Sequence, residues 1–179
     1  MNYKTPKKLA VIQDMAGIGR CSLSVALPVI SACHVQACPM PTALFSNHTG
    51  FPTYYKHDFT PYIPDYLDAW KKLDQHFDGI YCGYLGSSAQ MELISSYIKK
   101  EKSLLPGTRI MIDPVFGDHG HLYHGLSDDY VSAMRSFIHS ADLITPNLTE
   151  ACFLPGTPYC ETECSSSVLH ALGEHLCAL

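Results

Sequence analysis

Short apolar runs that alternate with amphipathic stretches are the feature of this sequence that most limits how it can fold. Each run is followed by turn residues, which is typical of buried parallel strands. In the stretches between them, apolar residues recur at every third or fourth position, as on one face of a helix. This alternation predicts right-handed crossovers and a three-layer α/β/α fold with a mostly parallel central sheet. We expect strands at residues 9–13, 79–86, 109–112 and 142–147, an edge or irregular strand at 35–45 that contains two prolines, and helices at 21–32, 65–77, 87–102, 127–140, 148–154 and 168–179.

Length and charge limit the functional classes. At 179 residues the chain is long enough for a sizeable core, so we expect a single domain over residues 1–179. Its formal net charge of −5 and its lack of basic clusters argue against nucleic acid or an anionic membrane as a partner. No apolar run approaches the roughly 20 residues that a membrane span needs. The polar start of the sequence is not a signal peptide, which predicts a cytoplasmic protein.

The stretch at residues 109–118 (RIMIDPVFGD) carries the first indication of chemistry. Asp113 and Pro114 should end the preceding strand, because proline lacks the N–H group that a ladder requires. Gly117 then allows a tight turn into Asp118, so two carboxylates would lie at the carboxyl end of a parallel strand, where open α/β sheets bind ligands. Two acids there suggest a divalent cation and phosphate groups. A turn in which Asp113 caps a neighbouring helix is the structural alternative.

Two other strand ends should lie at the same edge of the sheet. Asp14 begins a predicted turn at residues 14–20, with glycines at positions 17 and 19. This turn lacks a full dinucleotide-binding fingerprint, because Ser22 stands where the third glycine belongs. Asn147 and Glu150 are three residues apart at a predicted helix start, so both could face one ligand and order a hydrated Mg²⁺. The same pair also fits a capping box with a purely structural role. The sequence has no Walker A motif and no nucleophile elbow.

Residues 46–50 (SNHTG) lie between the proline-containing strand and an aromatic and basic stretch at 51–57. A polar cluster in this position that ends in glycine is typical of a binding loop, although it also fits an ordinary surface turn. Five histidines are further candidate ligands: His48, His57, His119, His121 and His124. Histidines in loops without a fixed scaffold more often bind no metal, so we do not assign them a metal site.

These motifs, in this order, resemble those of the pyridoxal kinase branch of the ribokinase-like superfamily. The resemblance is carried by S-N-H-T-G at 46–50, G-Y at 83–84, D-P-V-F-G-D at 113–118 and T-P-N-L-T-E at 145–150, and it extends from residue 9 to about residue 154. It implies the ribokinase-like form of the α/β/α fold and a homodimer. It also implies ATP-dependent phosphorylation of the 5′-hydroxymethyl group of pyridoxal, pyridoxine or pyridoxamine, a step of vitamin B6 salvage.

The resemblance further implies roles for particular residues. The residues expected to bind the vitamer are Asp14, Phe45, His48, Thr49 and Tyr84. Those expected to bind ATP and its phosphates are Asp113, Asp118, Thr145, Asn147 and Glu150. Asp113, Asp118 and Glu150 would hold Mg²⁺, partly through water, and Thr145 would hold a monovalent cation (K⁺ or Na⁺). Family members often have a serine near the position of Asp14, so the contact with the ring should differ here.

One motif of the family has no counterpart in this sequence. It is a G-x-G-D turn whose aspartate is the catalytic base and whose N–H groups stabilise the transferring phosphate. The sequence also stops on an apolar helix with no following strand. We therefore expect this chain to be the N-terminal part of such a kinase, with no catalytic base of its own and little or no turnover. Two alternatives remain: a hydroxymethylpyrimidine kinase with the same phosphate chemistry, and an inactive fragment that only binds its ligand.

Overall fold

A mostly parallel sheet organises the chain in the computed structural model, which describes residues 6–159 and 165–179. The strands in these residues are β1 (Lys8–Ala16), β2 (Gln36–Phe45), β3 (Lys56–Asp58), β4 (Gly79–Cys82), β5 (Arg109–Ile112), β6 (Gly117–Asp118), β7 (His121–Leu122) and β8 (Leu143–Ile144). The main sheet has the order β3-β2-β1-β4-β5-β8, and within it only the β2–β3 pair is antiparallel. β6 and β7 form a separate hairpin. The predicted parallel architecture is confirmed.

Helices lie on both faces of this sheet. In the described residues they are α1 (Ser22–Ala32), α2 (Ile63–Lys72), α3 (Ser88–Leu104), α4 (Asp128–Ile138), α5 (Leu148–Phe153) and α6 (Ser166–Cys177), with a 3₁₀ turn at Thr60–Tyr62. α2, α3 and α4 pack on the face that carries Ile12, Ile80 and Ile112, where the main core lies. α1 packs against β1 and β2 beside Leu9 and Tyr81, the strand residues that point the opposite way. No helix within the described ranges is long and apolar enough to cross a bilayer.

The end of β1 differs from the prediction in a way that concerns the site. The predicted end at residue 13 is wrong, because the strand continues to Ala16 and Asp14 lies inside it. The register between β1 and β2 shifts between Gln13 and Met15, directly around Asp14. Irregular register of this kind redirects the neighbouring side chain. The carboxylate of Asp14 therefore belongs to the rim of the sheet and not to the glycine turn.

The predicted helix at residues 65–77 is also wrong at both ends. α2 begins at Ile63 and ends at Lys72. Asp74 adopts a positive φ of 50°, and it donates to the carbonyl of Lys71 while Gln75 donates to that of Trp70. This is the hydrogen-bond pattern of a Schellman motif, which closes a helix. The spacing of apolar residues does not reveal the left-handed conformation of Asp74, and this conformation ends the helix earlier than predicted.

Two predicted strands are shorter in the structure, and one turn is more regular. β4 ends at Cys82 and β8 has only two residues. Residues 117–122, expected to form a turn and loop, pair as the β6–β7 hairpin. Ser87 caps α3, since its hydroxyl accepts from the N–H of Gln90 at 3.3 Å. β2 is the proline-containing strand, and β3 covers only its last three residues, so Pro39 and Pro41 need no partner on that side.

A buried glutamine connects the segments around the carboxyl ends of β2 and β4. Gln90 on α3 is 0% exposed, and its Oε1 accepts from the N–H of Gly86 at 2.7 Å. Its Nε2 donates to the carbonyl of Thr42 at 2.9 Å and to the hydroxyl of Thr60 at 2.8 Å. These bonds join β2, the 3₁₀ turn and the loop after β4. Because Gln90 and Thr42 are fully buried, the bond between them in particular is costly to lose.

We expect Gln90→Met to lower the free energy of unfolding by about 2–3 kcal/mol, because it leaves the N–H of Gly86 and the carbonyl of Thr42 without their partner. Glu92→Met, on the exposed side of the same helix, is the matched control and should change stability by no more than about 0.5 kcal/mol. Urea denaturation of both variants measures the difference. Equal losses of unfolding free energy in the two variants would show that the hydrogen bonds of Gln90 do not stabilise the fold.

Candidate active site

The carboxyl ends of the parallel strands open into one cavity of about 1810 Å³. The cavity continues along the face of the sheet beside α1, where Tyr81, Met111 and Leu143 line it. All ten residues that were predicted to bind the vitamer, ATP or metal line this cavity: Asp14, Phe45, His48, Thr49, Tyr84, Asp113, Asp118, Thr145, Asn147 and Glu150. The structure thus brings together side chains from the ends of five strands, β1, β2, β4, β5 and β8. The role of each of them in binding stays a prediction.

The glycine turn and the 46–50 loop are held against each other by backbone contacts. The N–H of Gly17 donates to the carbonyl of Phe45 at 2.9 Å, and the N–H of His48 donates to that of Ile18 at 2.8 Å. A Cβ atom at Gly17 would lie 2.8 Å from the carbonyl oxygen of Ser46. Only glycine permits this approach. The turn therefore serves to position the loop that follows β2.

The 46–50 loop is braced by its own side chains. Asn47 donates from Nδ2 to the carbonyl of Thr53 at 2.9 Å, and the hydroxyl of Ser46 accepts from the N–H of Tyr55 at 2.8 Å. Nδ1 of His48 accepts from the N–H of Gly50 at 3.0 Å. In the neutral ring the proton is therefore on Nε2, which remains available as a donor on the exposed side of the loop. A surface turn would not need this set of bonds, so the loop has a fixed shape.

An aromatic pair forms the wall next to this loop. Phe45 and Tyr84 contact edge to face, with ring centroids 6.0 Å apart, and Tyr54 lies 5.8 Å from Phe45. The carbonyl of Tyr84 accepts from the hydroxyl of Thr42 at 2.7 Å, which fixes its backbone. Such a wall suits a flat, aromatic ligand. Lys56 reaches over both Phe45 and Tyr84, with its Nζ 5.7 Å from each ring centroid.

Asp14 brings a carboxylate to the same end of the cavity. It is only 7% exposed, and burial raises its pKa above the ordinary value. A hydrogen bond with the side chain of Ser22 and the charges of His48 and Lys56 oppose this rise in pKa. A buried carboxylate with polar neighbours is a candidate contact for a donor or cation on a ligand.

Gln13 lines the cavity as well, and the sequence reasoning missed it. Its side chain is buried, and within the described part of the chain its Nε2 has no hydrogen-bond partner. A Cβ atom at Gly83 would lie 2.3 Å from its Oε1, which explains the glycine before Tyr84. A buried amide without a partner is a candidate donor to a ligand. The available signal was a polar residue in an apolar strand, directly before Asp14.

A second group of carboxylates lies at the ends of β5 and β8. Asp113 is half-buried, and burial raises its pKa, while a hydrogen bond with the side chain of Thr145 lowers it. Asp118 is exposed in the β6–β7 hairpin, where its Oδ1 accepts from the N–H of His119 at 2.8 Å. Asp113 does not cap a helix, so the structural alternative considered for it is wrong. The two acids line one end of the cavity.

Asn147 and Glu150 form a complete capping box at the start of α5. The N–H of Glu150 donates to Oδ1 of Asn147 at 3.0 Å, and the N–H of Asn147 donates to the Glu150 carboxylate at 2.8 Å. The other carboxylate oxygen accepts from the N–H of Phe116 at 3.1 Å. Nδ2 of Asn147 donates to the carbonyl of Gly117 at 2.8 Å. Both side chains therefore stabilise the start of α5, and both also line the cavity.

The buried position of Glu150 changes its pKa. It is 2% exposed, and burial raises its pKa to about 7, with the nearby charge of Asp113 adding to the rise and hydrogen bonds from backbone N–H groups opposing it. Within residues 6–159 and 165–179, no lysine or arginine forms an ion pair with Asp113, Asp118 or Glu150. No lysine or arginine among these residues therefore balances the acids at this end of the cavity.

Oxygen donors with uncompensated charge fit a hydrated magnesium ion. Mg²⁺ keeps several waters and usually takes one or two carboxylates together with phosphate oxygens. The described residues contain no group of three or more histidine, cysteine, aspartate or glutamate side chains that could hold a metal ion directly. Asp113 and Asp118 have oxygens free for such an ion, whereas those of Glu150 already accept backbone bonds. The predicted Mg²⁺ site, partly through water, stays a prediction.

Sequence comparison assigns this chain to a known family. Residues 25–178 match the family model for phosphomethylpyrimidine kinase, which is most of the chain. The chain belongs to the phosphomethylpyrimidine kinase family. Its structure is similar to that of a candidate phosphomethylpyrimidine kinase from Bacteroides thetaiotaomicron, with 40% identity, a TM-score of 0.92 and coverage of 99% of this chain and 61% of that one. An orthorhombic form of the Bacteroides protein, crystallised with pyridoxal, matches at 41% identity with a TM-score of 0.91 over 97% of this chain and 60% of that one.

Pyridoxal kinases are also similar to this member of the family. The crystal structure of pyridoxal kinase from Lactobacillus plantarum matches at 36% identity with a TM-score of 0.82, over 96% of this chain and 60% of that one. Pyridoxal kinase from Arabidopsis thaliana is 31% identical over 75% of this chain and 45% of its own length. These similarities confirm the ribokinase-like fold and the predicted resemblance to pyridoxal kinases. The chain spans about half to three fifths of the length of these relatives.

The raised pKa of Glu150 predicts a pH-dependent stability. Since the folded state holds this proton more tightly than the unfolded chain, the contribution of Glu150 is complete below the ordinary pKa of 4.5 and is lost as the pH rises through about 7. The free energy of unfolding of the unchanged protein, relative to Glu150→Gln, should therefore fall by up to about 3 kcal/mol across this range.

Denaturant unfolding at a series of pH values measures this difference. Glu92→Gln is the control, because Glu92 is exposed on α3, and its stability curve should run parallel to that of the unchanged protein. A curve for Glu150→Gln that is equally parallel would show that burial does not hold a proton on Glu150.

Proposed function

We propose that this chain forms the vitamer-binding part of a pyridoxal kinase. The reaction is ATP-dependent phosphorylation of the 5′-hydroxymethyl group of pyridoxal, pyridoxine or pyridoxamine, in vitamin B6 salvage to pyridoxal 5′-phosphate. The observation that carries this proposal is one cavity with an aromatic and polar end, formed by Phe45, His48 and Tyr84, and an acidic end, formed by Asp113 and Glu150. The crystal form of the Bacteroides relative that contains pyridoxal supports the same assignment.

The aromatic end would bind the pyridine ring. Phe45 and Tyr84 offer ring faces and edges for stacking, while Nε2 of His48 and the hydroxyl of Thr49 can hydrogen-bond the ring substituents. Asp14 stands where relatives often have a serine, and its carboxylate adds a charged contact. Since the loop and the wall are already held by backbone bonds, the pocket should need little rearrangement to accept a ring.

The acidic end would bind the phosphates of ATP through cations. Asp113 and Asp118 would hold Mg²⁺, with Glu150 contributing through water, and Thr145 would hold K⁺ or Na⁺. When bound, these cations neutralise charge that develops on the transferring phosphate. Asn147 and Glu150 would keep the loop after β5 in place for the nucleotide. No residue of this chain is assigned the role of the catalytic base.

The family match favours a second candidate, a hydroxymethylpyrimidine kinase with the same phosphate chemistry. The two candidates differ only in the ring that enters the aromatic end. A third possibility is a fragment that binds the vitamer without consuming ATP. We further propose that the protein is a homodimer, as the resemblance to pyridoxal kinases implies, and that it is cytoplasmic and needs no nucleic acid or membrane partner.

Replacing Tyr84 with alanine should weaken pyridoxal binding by about tenfold, because it removes one member of the aromatic wall. Tyr55→Ala is the matched control, since Tyr55 is a neighbouring tyrosine that is exposed and lies outside the residues that line the cavity. Its affinity for pyridoxal should stay within about twofold of the unchanged protein. Equilibrium dialysis with both variants measures the effect, and equal losses would contradict the proposed pocket.

Competition in the same dialysis experiment separates the candidates. Tighter binding of hydroxymethylpyrimidine than of pyridoxal would replace the proposal with the second candidate. ATP consumption, measured in the same samples with Mg²⁺ present, then distinguishes phosphorylation from binding alone. Vitamer binding without ATP consumption would identify the chain as a ligand-binding fragment.

A further inference from the structure

One lysine in the cavity has no assigned role and no ion-pair partner. Nζ of Lys56 lies 5.7 Å from the ring centroids of Phe45 and Tyr84, and 3.3 Å from the hydroxyl of Tyr84. Among residues 6–159 and 165–179, no carboxylate forms an ion pair with it. The ammonium group therefore stands at the aromatic wall with its charge available to a ligand.

The sheet holds this lysine in position. β3 pairs antiparallel with the end of β2, and the register places Lys56 directly opposite Phe45. Residues directly opposite each other on paired strands point to the same face of a sheet. Lys56 must therefore extend over the ring of Phe45. It is set there by backbone pairing and not by a flexible loop.

A group of opposite charge lies on the other side of β2. Asp14 is in β1, which pairs with β2 on the edge away from β3. Strands β1 and β3 are two spacings apart, roughly 10 Å, and both side chains line the cavity on either side of the strand that ends at Phe45. Burial raises the pKa of the Asp14 carboxyl, and the charge of Lys56 is among the influences that oppose this rise, so the two groups interact across the pocket.

The two candidate substrates differ in the charges that they offer to such a pair. A 3-hydroxypyridine in neutral water exists largely as a zwitterion, with a proton on the ring nitrogen and a negative charge on the 3-oxygen. An aminopyrimidine has no acidic hydroxyl on its ring and therefore no anionic oxygen. Its amino group is a hydrogen-bond donor, which an ammonium group cannot accept. Charge complementarity can therefore separate the two ring classes.

We propose that Lys56 and Asp14 form a polar pair that selects the zwitterionic form of a 3-hydroxypyridine, with Lys56 donating to the 3-oxygen and Asp14 accepting from the protonated ring nitrogen. This inference rests on the proposed vitamer-binding function and adds a residue that determines specificity within it. Phe45 and Tyr84 supply the ring contacts between the two charges. The selection acts in binding and involves no covalent step.

The test compares two probes that differ in one oxygen: pyridoxine, and 3-deoxypyridoxine, which lacks the 3-hydroxyl. The unchanged protein should bind pyridoxine at least about tenfold more tightly. Lys56→Met should remove that preference by weakening pyridoxine binding while 3-deoxypyridoxine binding stays within about twofold. Lys56→Arg retains the charge and should retain most of the preference. Lys99→Met, an exposed lysine on α3, should leave both affinities unchanged.

A spectroscopic measurement distinguishes charge selection from a packing role of the lysine. The zwitterionic and uncharged forms of pyridoxine have different absorption bands in the near ultraviolet. Pyridoxine bound to the unchanged protein should show the zwitterion band, and Lys56→Met and Asp14→Asn should each shift bound pyridoxine towards the uncharged form. Thermal unfolding of each variant confirms that it is folded.

Three sets of results would contradict the inference. Equal loss of both probes in Lys56→Met, or an unchanged absorption band in both variants, would overturn it. Equal affinity of the unchanged protein for both probes would overturn it while the pyridine pocket itself stands. Binding of neither probe by the unchanged protein would overturn the proposed function, and with it this inference.

Discussion

The carboxylate of Glu150 is the contact on which the rest of the cavity depends. It accepts from the N–H groups of Phe116 and Asn147, so it ties the loop after β5 to the start of α5. Asn147 completes the same joint by donating to the carbonyl of Gly117. This joint places two acidic strand ends side by side. It also buries a carboxylate near Asp113, and for that reason the pKa of Glu150 rises to about 7. A cation bound between the acids would favour the charged, folded form.

The T-P-N-L-T-E motif shows that the same residues can cap a helix and line a cavity. Asparagine followed three residues later by glutamate predicts a capping box, and the structure contains one. The same two residues line the cavity, as the functional interpretation requires. The capping role therefore does not exclude a binding role, which stays a prediction. A side chain that caps a helix at the carboxyl end of a sheet is already held where ligands bind.

Local patterns predicted the alternation of strands and helices, the parallel sheet and the residues at its carboxyl edge. They could not predict which side chains face each other across strands. The contact of Lys56 with Phe45 follows from an antiparallel pairing of β2 with a three-residue strand, and no periodicity marks so short an element. The sequence predicts a turn at Asp14, but the residue lies in β1. The register shift beside it depends on the partner strand and cannot be read from the local pattern. The end of α2 depends on the left-handed backbone conformation of Asp74, and the apolar pattern does not indicate the conformation of one residue.

The two ends of the cavity differ in how their charges are balanced, and this difference supports the different ligands proposed for them. At the aromatic end, the carboxylate of Asp14 is opposed by the positive charge of Lys56, so a neutral or zwitterionic ring could enter without bringing a counter-ion. At the other end, Asp113, Asp118 and Glu150 have no lysine or arginine partner among the described residues. A polyphosphate would be repelled there unless cations come with it. Vitamer binding should therefore be independent of divalent cations, whereas any nucleotide binding at the acidic end requires them.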